Sequence, residues 1–157
     1  KYKNILHHGD YAKITKNNGF VIFGRSDTTL NPGGVRLGTA EIYSEIERFK
    51  EIKESLVVGQ SWDNDVRIIL FVILNPKYKL NENLLKKLKL QIRKNASPRH
   101  VPRKVIQIKD IPRTKSGKIV ELAVKNIIDG NEIKNKEALA NPESLKQFKN
   151  IEELKIN

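Results

Sequence analysis

The chain has 157 residues, a formal net charge of +12 at neutral pH, three histidines (His7, His8, His100) and no cysteine. Disulfides, thiolate nucleophiles and thiolate metal sites are therefore excluded, and so few scattered histidines lead us to expect no metal site. No apolar run approaches the ~18 residues of a membrane span and none reads as a secretory leader, which predicts a cytoplasmic protein without a membrane segment.

Residues 10–23 read as a β-hairpin. Two apolar-patterned runs, Tyr11-Ala-Lys-Ile-Thr15 and Phe20-Val-Ile-Phe23, flank Asn17-Asn18-Gly19, and Asn-Gly is a favoured tight turn because both residues tolerate positive φ. Gly24, Pro32, Gly33, Gly34 and Gly38 mark 24–38 as a folded loop. A helix is expected next, capped by Thr39, with Glu41 at its positive end and Ile42, Ile46 and Phe49 on one face.

Ser55–Gly59 predicts a short strand and Val66–Leu74 a longer one, joined by the polar stretch Ser61-Trp62-Asp63-Asn64-Asp65. Residues 81–96 form a second amphipathic pattern, with Leu85, Leu88 and Ile92 inward and Lys86, Lys87, Lys89, Arg93 and Lys94 outward. Pro98 and Pro102 interrupt the chain before a strand at 104–108. A basic loop follows, Pro112-Arg113-Thr114-Lys115-Ser116-Gly117-Lys118, then a helix over 120–129 that Gly130 ends. The polar tail 131–157 is expected to add one short helix and little core. No internal repeat is visible. Strands and helices in this order predict a small α+β domain, a short sheet flanked by helices and preceded by the hairpin, from about residue 25 to 130. The first residue is Lys and methionine is absent, so the chain is expected to be part of a longer one.

Most of the positive charge sits in one block. From Lys86 to Lys118 there are twelve Lys/Arg against one acid, Asp110, a net of +11. Such a block suits an anionic partner, whether nucleic acid, anionic lipid or a small polyphosphate; it also suits a plain solvated face. Nucleic acid is the less expected partner, because the block contains no Phe, Tyr or Trp for base stacking. Within it, Gly117 lets the backbone come close to whatever Lys118 touches, and a lysine there can place a compact ammonium on a phosphate or carboxylate oxygen.

Several motifs line up in order: His8-Gly9-Asp10, Gly24-Arg25-Ser26-Asp27, Gly33-Gly34-Val35-Arg36-Leu37-Gly38-Thr39-Ala40-Glu41-Ile42, Val57-Val58-Gly59 and the 112–118 loop. Together they resemble the C-terminal part of adenylate-forming enzymes, the acyl-CoA synthetases and their relatives. The phrase from Gly24 to Arg36, with Ser97-Pro-Arg-His-Val-Pro102 and Asn141-Pro-Glu143, is most similar to the branch that activates acetoacetate.

The resemblance implies an ATP-dependent acid–thiol ligase, with ATP, Mg²⁺ and CoA as substrates and cosubstrate, and an N-terminal adenylation domain as partner. It implies that residues 1–26 end that large domain, that 27–130 form a mobile lid, and that 131–157 extend it. By position, Lys118 matches the adenylation lysine and Asp27 the hinge. Asp10, Arg25 and Arg36 match nucleotide-binding residues. Gly34 matches a glycine lining the CoA tunnel, and Arg93 an arginine that meets the CoA 3′-phosphate. A lysine exposed when the lid is open is also expected to be open to regulation by acylation, which would remove the Lys118 charge. Departures are Thr28, Asn31, Val35 and Val120-Glu121, where many relatives carry an acid, a lysine, a histidine and basic residues. The lid of another short-chain acyl-CoA synthetase, a lid from a non-CoA branch and a basic nucleic-acid-binding module are the other readings.

Overall fold

A computed structural model describes residues 9–133 and 135–157; His7 and His8 lie outside them. Strands β1 (Asp10–Ile14) and β2 (Phe20–Arg25) form the expected antiparallel hairpin, with Asp10 directly opposite Arg25. Its turn differs in detail. Asn18 carries the left-handed backbone (φ 56°), closed by Asn18 N donating to the Thr15 carbonyl at 3.1 Å and Thr15 N to the Gly19 carbonyl at 2.8 Å.

The loop to residue 38 is pinned by a bridge between Leu30 and Leu37, both buried. Helix α1 (Thr39–Ile46) starts one residue earlier than expected, with Gly38 as its N-cap and Thr39 buried in the first turn. The hairpin explains this: a Cβ on Gly38 would sit 2.2 Å from the Phe23 carbonyl oxygen. Nothing larger fits at the cap.

Strands β3 (Ile52–Trp62) and β4 (Asp65–Leu74) are longer than the alternation suggested, and two residues join them. Asp63 (φ 50°) and Asn64 (φ 59°) are both left-handed, the geometry of a type I′ hairpin turn. Polar Gln60 and Ser61 hid the end of β3. Gln60 is buried opposite Arg67 of β4, whose Nε donates to Gln60 Oε1 at 2.8 Å and whose guanidinium lies 3.6 Å from the Trp62 ring centre. Helix α2 (Glu82–Asn95), capped by the Asn81 side chain accepting from Leu84 N, carries the chain over to β5 (Lys104–Gln107), which pairs in parallel with β4. The sheet order is β3-β4-β5. Helix α3 (Glu121–Ile128) follows the basic loop.

Central β4 is buried on both faces. One face, with Val57, Ile68, Leu70 and Val72, packs on Ile42 and Ile46 of α1 and Leu84, Leu88 and Ile92 of α2. The α2 stripe is thus 84-88-92; Leu85 is only half-buried, because the Asn81 cap sets the rotation of the first turn. The other face, with Leu56, Val58, Ile69 and Phe71, packs on Val124 of α3 and on Phe148 and Leu154.

The expectation of a tail with little core is therefore corrected. Residues 142–148 and 152–154 form 3₁₀ turns that bury Leu145, Phe148 and Leu154, and Phe148 meets Phe71 edge-to-face at 4.9 Å between ring centres. Their short, irregular turns carry no 3.6-residue period, so the pattern did not announce them. Among the described residues no helix is long and apolar enough to cross a membrane. Phe148→Ala should cost about 3–5 kcal/mol, read from the urea-unfolding midpoint of the 157-residue chain.

Candidate active site

The basic loop leaves the core at Ile111, fully buried, and returns to it through α3. Between them, residues 113–119 fold back as a miniature hairpin. Thr114 N donates to the Lys118 carbonyl at 2.8 Å, Gly117 N to the Thr114 carbonyl at 2.8 Å, and Lys118 N to Thr114 Oγ1 at 3.1 Å. Gly117 takes φ +82°, a conformation an L side chain rarely adopts, and so turns the chain just before the lysine. Arg113 is committed internally: its guanidinium pairs with Glu54 of β3 and donates to the Gly117 carbonyl at 3.1 Å. Lys115 and Lys118 are exposed.

A second cluster sits where α3 begins. The Tyr43 hydroxyl donates to the Glu121 carboxylate and accepts from Val57 N at 3.0 Å. Burial pushes the Glu121 carboxyl above its ordinary range, against the opposing hydrogen bonds from Tyr43 and Thr28. Burial, then the Glu121 charge, also drives the Tyr43 phenol well above its usual value. Glu121 thus joins α3 to α1, to β3 and to Thr28, the neighbour of Asp27. Sequence reasoning noted Glu121 only as a departure; an acid in the first turn directly after the loop was the available signal. A groove of about 570 Å³ opens beside it, lined in part by Tyr43, Glu54, Arg113, Ile119 and Glu121.

The structure brings several expected residues together at the hairpin. Arg25 grips Asp27 in a fork, Nε to Oδ1 at 2.8 Å and Nη2 to Oδ2 at 2.7 Å. Arg25 donation holds the Asp27 carboxyl below the usual carboxylate range, and the Asp27 bond raises the guanidinium in turn. Asp10 faces Arg25 across the strands, and the Arg36 guanidinium stacks 4.7 Å from the Tyr11 ring centre. Beside them lies a cavity of about 450 Å³ lined by Tyr11, Thr29, Arg36, Glu41 and His100 among others. His100, buried and unforeseen, is held between Ser97 Oγ (2.8 Å to Nδ1) and Glu41 Oε2 (2.6 Å to Nε2).

Gly34 (φ +74°) follows Gly33, whose N–H donates to the Asp65 carboxylate at 2.8 and 3.0 Å. A Cβ on Gly34 would meet nothing within 4 Å, so within this chain backbone conformation, not crowding, calls for glycine there. Arg93 is exposed and lines a separate groove of about 440 Å³ with Lys89, Arg103 and Lys104, which shares no residue with the Lys118 loop. Burial lowers the Lys89 ammonium, helped by Arg103 and Lys104. The basic block is thus split between this groove, the outer face of α2 and the loop. Among the described residues no group of three or more His, Asp or Glu is arranged to hold a metal ion.

Comparison with known proteins bears on this arrangement. Residues 41–118 match the AMP-binding enzyme C-terminal domain family. Acetoacetyl-coenzyme A synthetase of Rhizobium meliloti is 57% identical over 155 residues, covering 99% of this chain and 24% of the relative. That of Xenopus tropicalis is 48% identical over 156 residues, covering 98% and 23%. Among solved structures, acetoacetyl-CoA synthetase from Streptomyces lividans superposes with a TM-score of 0.83 at 40% identity, over 94% of this chain and 22% of that one. The chain spans about a quarter of the length of the curated relatives it matches.

A raised carboxyl stabilises the fold more fully when protonated. The Glu121 contribution is complete below the ordinary value of 4.5 and is lost as pH rises through its higher folded value. Glu121→Gln should therefore remove the Glu121-linked gain in Tm expected on acidification from pH 7 toward 4.5, read by comparing thermal unfolding of variant and parent across that window.

Proposed function

We propose, from the match of residues 41–118 to the AMP-binding enzyme C-terminal domain family, that this chain is the lid of an AMP-forming ligase that makes acetoacetyl-CoA from acetoacetate, ATP and CoA. In the first half-reaction an acetoacetate oxygen bonds to the α-phosphorus and the bond to the pyrophosphate oxygen breaks. In the second, the CoA thiol displaces AMP and loses its proton. Similarity to relatives named for acetoacetyl-CoA across nearly the whole chain supports the substrate.

The observation that carries the catalytic assignment is the contrast inside the loop. Arg113 is consumed by Glu54, whereas Lys118 stands exposed at the end of a braced turn. Its ammonium would bridge the acyl carboxylate and the α-phosphate as charge accumulates between them, a preorganised interaction worth about 3–4 kcal/mol. Asp10 would accept from the ribose hydroxyls, as a carboxylate can from two vicinal donors. Arg25 and Arg36 would meet the ribose or phosphates, and Arg93 with its neighbouring cations the CoA 3′-phosphate. Gly34 would leave room for the pantetheine arm against a large N-terminal domain. Asp27 would be the hinge about which the lid turns between half-reactions. Mg²⁺ would travel with the ATP phosphates, and no residue of this chain is assigned to it.

In the full-length enzyme, Lys118→Ala should lower adenylation, followed as acetoacetate-dependent ATP–pyrophosphate exchange, by about 10²–10³-fold. Thioester formation from supplied acetoacetyl-adenylate should survive; equal loss of both steps would remove Lys118 from the first. Arg93→Ala should raise the KM for CoA about tenfold and leave pyrophosphate exchange unaltered, as expected for loss of one charge-assisted phosphate contact. AMP release with acetoacetate, acetate, butyrate and 3-hydroxybutyrate side by side tests the acid.

A further inference from the structure

Pro112 leaves a gap in the basic loop, because proline has no N–H to enter a backbone ladder. Asn141, twenty-nine residues downstream in the tail, straddles that gap. Its Oδ1 accepts from Arg113 N at 2.8 Å, and its Nδ2 donates to the Ile111 carbonyl at 2.9 Å and to Asp110 Oδ2 at 2.6 Å. One donor facing the oxygen and two acceptors facing the nitrogen make the amide orientation unambiguous. Asp110, the single acid of the 86–118 block, is the carboxylate that holds it.

The neighbouring tail residues continue the contact. Ala140 N donates to the Arg113 carbonyl at 2.8 Å, Lys115 N to the Ala138 carbonyl at 3.3 Å, and Thr114 bridges Leu139. The 113–115 arm is therefore bonded on one side to 118–119 and on the other to 138–141. The brace is itself grounded, since Leu139 and Leu145 are buried against Ala123 of α3. Without the tail, the arm would be a short hairpin held only by its own turn and by Arg113.

We propose that Asn141 is a positioning residue for the adenylation half-reaction: it fixes the arm opposite Lys118 so that the ammonium is presented without reorganisation. This rests on the assignment of Lys118 given above. Displacing a catalytic group by about 1 Å can cost on the order of 10²-fold, so a loosened arm is felt in rate before it is felt in folding.

The test uses the full-length enzyme in four forms: parent, Lys118→Ala, Asn141→Ala, and the double variant Asn141→Asp with Asp110→Asn. The double variant exchanges donor and acceptor between positions 110 and 141 and keeps an acceptor for Arg113 N, while giving up the bond to the Ile111 carbonyl. Asn141→Ala should slow pyrophosphate exchange about tenfold to a hundredfold through kcat, with KM for ATP little changed, and should leave thioester formation from supplied acetoacetyl-adenylate near the parent rate. Amide hydrogen exchange should quicken within 113–118 and stay unchanged in α2, and the double variant should recover part of the lost rate.

Exchange at the parent rate in Asn141→Ala, or equal loss of both half-reactions with no recovery in the double variant, would overturn the proposal. The first shows that the brace is dispensable, the second that it serves folding alone. If Lys118→Ala itself keeps pyrophosphate exchange, the catalytic assignment fails first and the role of Asn141 in adenylation falls with it, whatever the hydrogen exchange shows.

Discussion

The burial of β4 on both faces is the constraint from which the rest of the domain follows. Ile69 and Phe71 point to one side, Ile68, Leu70 and Val72 to the other, and all are essentially removed from water. A strand of this kind needs two covers, since each exposed aliphatic side chain would forfeit roughly 1.5–3 kcal/mol. Helices α1 and α2 supply one. Helix α3 is eight residues long and covers only part of the other, and the 3₁₀ turns of the tail complete it. The Lys118 loop lies between Ile111 and α3, both anchored to that second face, so the completeness of the tail's packing bears directly on where the lysine stands.

Charge is distributed with the same economy. Arg67 is buried against Gln60 and the Leu154 and Ile156 carbonyls; Arg113 is spent on Glu54; Lys125 bonds the Gly59 carbonyl at 3.0 Å and Asp129 at 2.7 Å. These cations hold elements together. Lys118 and Arg93 remain at the surface, where a phosphate or carboxylate can reach them. Sorting the cations by their partners separates those that hold elements together from those left accessible more sharply than the net charge does.

The Arg25–Asp27 fork suits the hinge proposed at Asp27. Both side chains are substantially exposed, 58% and 42%, and an ion pair in such surroundings contributes about 0–1 kcal/mol despite its good geometry. It can therefore order the segment and still be broken at little cost. Glu121, half-buried and tied to Tyr43, is the opposite case, a polar contact costlier to open because its partial burial leaves the carboxylate few other partners. A soft pair beside a firm one places the compliance next to Asp27 and the rigidity next to the loop.

The sequence by itself determined the hairpin, the α2 stripe to within one residue, the break at Pro98–Pro102 and the basic loop, because each is written in local signals: an Asn-Gly turn, a 3.6-residue period, a proline, a run of like charge. The family resemblance, rather than any local signal, singled out Asp10, Arg25, Asp27, Gly34, Arg36, Arg93 and Lys118 as the positions proposed for the site. Only the tertiary structure decided that Gly38 rather than Thr39 caps α1, that β3 continues through Gln60, that His100 is buried on Glu41, and that Phe148 and Asn141 belong to the same unit as the loop. Each of those depends on a partner far away in the chain: the Phe23 carbonyl, Arg67, Glu41, Phe71 and the backbone on either side of Pro112. Periodicity reads the propensity of a segment, whereas burial and hydrogen-bond satisfaction are settled between segments, and for a tail of short 3₁₀ turns nearly all of the stabilisation is of the second kind.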